Sequence, residues 1–239
     1  MNRILSTSLI AASAAALVVG SCVPAFADST SPSTPSAGAG KNLAAIQAAA
    51  KTRTGERIAK LGAAIAKVNA AKGLTSSDRS TILGTLNGDV AGMNTVEAKI
   101  AADTTVASAA ADFATIFTTY RVYAVALPQA RIAAAADRMT ETTIPRLSAA
   151  QSRLAAALAG KDASKSTPAL QADLTDMQSK ISAATDALDG VSASALAVTP
   201  ADFNSNHSVL AAARSSVKTA VTDLKAATAD GKTIRTAIK

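Results

Sequence analysis

Arg53, Arg57, Lys60 and Lys67 follow one another at steps of four, three and seven residues. Wound into a helix, the four fall within an arc of roughly 80°. Guanidinium and ammonium groups on one such stripe could hold phosphates or carboxylates of an anionic surface. The surroundings concentrate that charge. Residues 41–72 carry Lys41, Lys51, Arg53, Arg57, Lys60, Lys67 and Lys72 against Glu56 alone, in a chain of net charge +7. The stripe is therefore a candidate anion-binding edge for a cell-wall polymer or lipid headgroups. The alternative is a solvated flank matched by acidic residues of a neighbouring helix. No aromatic residues interleave with the cations, so no nucleic-acid partner is expected.

Other groups that could do chemistry are sparse. Asp173 and Asp176, and again Asp186 and Asp189, share helix faces three residues apart. Paired carboxylates can act as general acid and base, but Lys180 one turn beyond Asp176 points to a solvated face. His207 is the one histidine, which is too few for a usual zinc site. It has no nucleophile motif beside it, and its expected place is a core or flanking position of the last helix. Asn206-His207-Ser208 matches a glycosylation sequon, without meaning in a bacterial-type exported chain. There is no phosphate loop and no dinucleotide fingerprint. No catalytic residue, cofactor or metal is expected. Gly84, Gly88 and Gly92 line one stripe, marking either a close helix–helix approach or chance.

The amino terminus places these groups outside the cytoplasm. Asn2 and Arg3 lead into an uncharged apolar run, Ile4 to Val19, that passes through Pro24 to Ala25-Phe26-Ala27. That is the layout of a secretory signal peptide, with release expected after Ala27. Cys22 is the one cysteine. In the preferred reading it leaves with the signal peptide. In the other, Val19-Gly20-Ser21-Cys22 resembles a lipobox, and a lipidated Cys22 anchors the protein. Val19, where a lipobox usually carries leucine, favours release. The mature chain would then have no disulfide. No second apolar run of about 18 residues follows, so no transmembrane segment is expected in it.

The elements that must position the candidate groups are helical. About a quarter of the residues are alanine, there is no tryptophan, and aromatics are 3%. Residues 28–41 read as a Ser/Thr/Pro/Gly-rich linker, and residues 42–239 as an all-helical domain. Ile58, Leu61, Ile65 and Val68 mark a first helix ending at Gly73. Thr75-Ser76-Ser77-Asp78 reads as a capping box for a second, with Leu83, Leu86, Val90, Met93, Val96 and Ile100 inward. A third runs from near Asp103 to a break or kink at Pro128. A fourth, kinked at Pro145, runs to Gly160. Thr167-Pro168 starts a fifth, carrying Leu170, Leu174, Met177, Ile181, Ala184, Leu188 and Val191. Thr199-Pro200 starts the last. The fold class is all-α: an elongated antiparallel bundle with coiled-coil-like heptad packing. Tyr120–Pro128 has strand-like composition but no strand partner, and is read as helix.

Phe117-Thr-Thr-Tyr-Arg-Val-Tyr-Ala-Val-Ala-Leu-Pro-Gln-Ala-Arg-Ile132, with Ala-Ala-Asp-Arg at 135–138, resembles a segment of uncharacterised secreted bacterial alanine-rich helical proteins. The resemblance spans Phe113–Arg138. It implies an exported helical protein and carries over no functional residues. The expected function is that of an exported non-catalytic helical protein, cell-envelope-associated or secreted, with a structural or interaction role. The alternative is a binding module that uses the basic stripe. Partners would be an anionic cell-wall polymer, a membrane surface or a helical protein.

Overall fold

The computed structural model describes residues 42–239, which are helical over most of their length and contain no strand. The export segment, Cys22, the linker and Lys41 lie outside the described residues. The helices are α1 (Leu43–Ala70), α2 (Ser76–Ala102), α3 (Val106–Thr118), α4 (Leu127–Arg138), α5 (Ile144–Ala159), α6 (Pro168–Leu188), α7 (Val191–Leu196), α8 (Pro200–Ser205) and α9 (Ala211–Ala237). Two π-helical turns, Val122–Ala126 and Met139–Thr143, join α4 to what precedes it and to α5. Residues 122–159 thus form one continuous helical rod. No helix among the described residues is long and apolar enough to cross a membrane.

The rod spans two cores. Leu61, Ile82, Leu86, Met93 and Ile100 of α1 and α2 meet Ile116 of α3 and the first part of the rod, Val122 to Ala133. Ile132, Met139 and Leu147 of the rod meet Met177, Ile181 and Leu188 of α6 and Val217 and Leu224 of α9. A small third cluster, Leu158, Leu170, Leu174 and Ile234, closes the far end of that half. Leu174, Ile181 and Leu188 are all buried on one face of α6, as their spacing predicts. Both helix pairs run antiparallel. Gln47 near the start of α1 reaches the carbonyls of Ile100 and Ala101 at the end of α2. Lys165, just before α6, donates to the Ile238 carbonyl after α9 (2.8 Å).

Side chains from elsewhere finish several helix ends. The last carbonyls of a helix lack intrahelical donors. The Arg79 guanidinium of α2 supplies them for α1, at Val68, Asn69 (3.1 Å) and Ala71 (2.6 Å). Accordingly α1 ends at Ala70, and Gly73 lies beyond it in the left-handed region (φ 78°). A Cβ on Gly73 would sit 2.6 Å from Thr142 Oγ1 and 3.3 Å from Arg138 Cα, so the α1–α2 turn rests directly on the rod. The expected capping box is half formed. Thr75 Oγ1 accepts from the Asp78 N–H (3.1 Å). The Thr75 N–H donates instead to Asp137 of the rod (2.9 Å), while the Asp78 carboxylate accepts from Ser192 of α7.

Three expected boundaries are corrected. The chain breaks at Tyr120–Arg121 rather than at Pro128, with Arg121 left-handed (φ 45°) and α8 holding the break: Arg121 Nε donates to Asn204 Oδ1 (2.7 Å), and Asn204 Nδ2 to the Thr118 carbonyl (3.0 Å). Beyond it, 122–128 is helical. Pro128 and Pro145 do not end the rod. A proline ring collides with the carbonyl four residues back. Those carbonyls belong to Ala124 and Glu141, each inside a π turn, whose wider winding relieves the collision. Val191, read as the continuation of the fifth helix, belongs to α7, because Gly190 (φ 64°) turns the chain after Leu188. Thr199-Pro200 does start a helix with a full capping box, but α8 stops at Ser205 and the last long helix begins at Ala211.

Candidate functional site

The four cations of α1 do not form one exposed stripe. Lys60 and Lys67 are exposed, and among the described residues neither pairs with a carboxylate. Arg53 is half-buried and holds Glu56 at 3.2 Å. Arg57 is buried, at 6% exposure. Its guanidinium carbon lies 4.7 Å from the Phe117 ring centroid and 5.0 Å from that of Tyr123, and Nη1 donates to the Arg53 carbonyl (3.0 Å). Burial lowers its pKa. Arg57 therefore leaves the candidate stripe for the buried face of α1. Ala50, Thr54, Arg57, Leu61, Ala64 and Val68 step four, three, four, three and four, which makes Arg57 an inward position. Of the expected apolar face, Leu61 and Val68 are buried, while Ile58 and Ile65 are half-buried. The usable signal was that alternation continued through a charge, with aromatics available in the third helix.

A second charge occupies the same kind of position in α2. Asp89 falls between Leu86 and Met93 in the run of buried residues and opens onto a cleft of about 230 Å³. Its walls come from α2 (Thr85), the helix break (Tyr120), the first π turn (Val125), α4 (Gln129) and the α7–α8 connection (Val198, Pro200). Gln129 is buried and sets the far wall: its Nε2 donates to the carbonyls of Ala195 (2.9 Å) and Val198, finishing α7. Tyr120 sets the near wall, because its ring lies over Gly92, where a Cβ would collide with it. Of the three periodic glycines this alone marks close packing; a Cβ at Gly84 or Gly88 meets open space. Asp89 Oδ2 is buried and makes no hydrogen bond. Burial raises its pKa from 3.8 to about 6. The sequence reading passed over Asp89 because a lone aspartate carries no motif.

The remaining candidates do not converge. Asp176 is exposed beside Lys180 (3.9 Å), and Asp186 near the end of α6 and Asp189 just after it are exposed. Asp230 of α9 faces this end of α6; burial first, and then Asp176 and Asp173, raise its pKa. His207 is exposed in the α8–α9 turn, not in a helix, and tilts against Phe203 at 4.9 Å between ring centroids. In the sequon, Asn206 Oδ1 accepts from the Ser208 N–H (2.9 Å). No family model, curated protein or solved structure matches the chain.

Proposed function

We propose that this is an exported helical protein that acts by binding rather than catalysis, in or around the cell envelope. The observation that carries the reading is the amino terminus, where the Ile4–Val19 run leads to the Ala25-Phe26-Ala27 triplet. Release after Ala27 is the preferred form, and anchoring through Cys22 the alternative. Long antiparallel helices suit the role, because they hold surface groups at fixed spacing on a rigid support; coiled-coil-like interlock of α6 with α9 is part of the proposal. Amino-terminal sequencing of the native protein outside the membrane tests the export step. A start at Asp28 supports it, a lipidated Cys22 replaces release with anchoring, and uncleaved chain in the cytosol overturns it.

Exposed Lys60 and Lys67 favour an anionic surface as the contact, with Arg53 beside them. Arg57 drops out of that set because it is buried, with its guanidinium against the half-buried Phe117 ring and the exposed Tyr123 ring. Exposed charges are screened over about 8 Å at physiological ionic strength. Retention on purified cell walls or anionic vesicles should therefore weaken steeply with added salt. Lys60→Gln combined with Lys67→Gln should weaken it further while the protein stays folded. Retention equal to that of the parent would make the edge a solvated flank.

A further inference from the structure

We propose that the Asp89 cleft binds a small free amine with an apolar body, its ammonium group on the Asp89 carboxylate and its carbon skeleton between Tyr120 and the α7–α8 connection. This site lies apart from the basic edge of α1 and selects the opposite charge.

Three features of the cleft specify the ligand. The first is charge. Asp89 Oδ2 is buried without a hydrogen-bond partner, and no Lys, Arg or His lines the cleft. A half-buried carboxylate with one oxygen unpaired is costly to keep charged, and a ligand cation that donates to the carboxylate relieves that cost. An anion would meet uncompensated repulsion. The second is the wall. Val125, Leu196, Val198 and Pro200 are apolar, and the Tyr120 ring offers a face to a cation or a hydrocarbon. Thr85 Oγ1 donates to the Thr81 carbonyl (3.2 Å), and Gln129 Nε2 is spent on the carbonyls that end α7. Asp89 is the one carboxylate lining the cleft, and its charge fixes orientation. The third is size. At about 230 Å³, the cleft falls below the roughly 300–1,000 Å³ of sites for drug-sized ligands. It suits a short alkylamine or arylalkylamine rather than a nucleotide or an oligosaccharide.

The walls are also preformed. Gln129 pins the α7–α8 connection to the rod, and the missing Cβ of Gly92 leaves room for the Tyr120 ring against α2. A ligand therefore need not organise the site before it binds.

The full chain should be titrated with n-butylamine, putrescine and phenethylamine at neutral pH, by calorimetry and by NMR of the cleft residues, with 1-butanol as the uncharged control. At least one amine should bind saturably and perturb Tyr120 and Val125, and 1-butanol should bind more weakly. Asp89→Asn keeps the shape and removes the charge, and should weaken binding about tenfold or more, the loss expected for a hydrogen bond to a charged group. Ala197→Phe, placed at the exposed rim, should block entry while leaving Asp89 intact. The proposal is overturned if none of the three amines saturates, if 1-butanol binds as well as the amines, or if either variant binds amine as tightly as the parent.

Discussion

Inward positions of α2 run Ile82, Leu86, Asp89, Met93, Val96, Ile100; those of α6 run Leu170, Leu174, Met177, Ile181, Ala184, Leu188. The steps are identical: four, three, four, three, four. At the third place one helix carries a carboxylate and the other a thioether, and α1 carries Arg57 at its own third place. The half built on α6 and α9 is filled by aliphatic side chains and alanine, and its buried hydroxyl, Thr228, is satisfied within its own helix at the Leu224 carbonyl (2.7 Å). The half built on α1 to α3 uses the same spacing but admits ions, and it holds Phe113, Phe117, Tyr120 and Tyr123 around them. Spacing alone thus fixes which way a position points. What fills the position decides whether that stretch of helix packs shut or leaves a cleft with a reactive group in it.

The sharpest way to break the comparison is to move the charge to the closed half. Met177 is 1% exposed, with Gly231 against its terminus. Met177→Asp puts a carboxylate where no cleft and no ring receives it. A loss of about 4 kcal/mol or more is expected in urea unfolding, the range of an unpaired buried charge. A loss below about 1 kcal/mol would mean the two halves tolerate charge alike.

A smaller effect separates two glycines on one helix. Gly92→Ala drives a methyl group into the Tyr120 ring and should cost about 1–3 kcal/mol, as overpacking does. Gly88→Ala meets nothing and should stabilise by about 1 kcal/mol through helix propensity. Equal shifts in melting temperature would remove Tyr120 as a fixed wall of the cleft.

The smallest effect is the pH dependence of Asp89. Its folded pKa, about 6, stands above the ordinary 3.8. The native state therefore holds this proton more tightly than the unfolded chain does. The stability it contributes is complete below about pH 4, falls as pH rises toward 6, and is gone above that. Tyr120 is the other ionisable side chain lining the cleft, and no cation faces Asp89 there to reverse the sign. Asp89→Asn should accordingly be more stable than the parent at pH 7, by about 1 kcal/mol once partial exposure is discounted, and equal to it near pH 4. A difference that does not change between those pH values would show that Asp89 is not desolvated.

Helix content and most helix starts were legible in the chain. Thr75, Thr167-Pro168 and Thr199-Pro200 each offer a hydroxyl to an N–H three residues on, a contact closed within one turn and therefore written in local order. The regular spacing in α6 was legible for the same reason. The fate of the charges was not. Arg57 looked like part of a solvated stripe because its partners, Phe117 and Tyr123, lie some sixty residues away and join it only when α3 and the rod pack on α1. The other half of the α2 cap is likewise supplied by Asp137, and the end of α1 by Arg79. Local hydrogen bonds and side-chain period depend on neighbours a few residues apart, so the sequence alone determined most helix starts and the face that α6 buries. Desolvation and long-range partners depend on which surfaces meet, so only the tertiary structure decided that Arg57 is buried beside Phe117 and Tyr123 and that Asp89 opens onto a cleft.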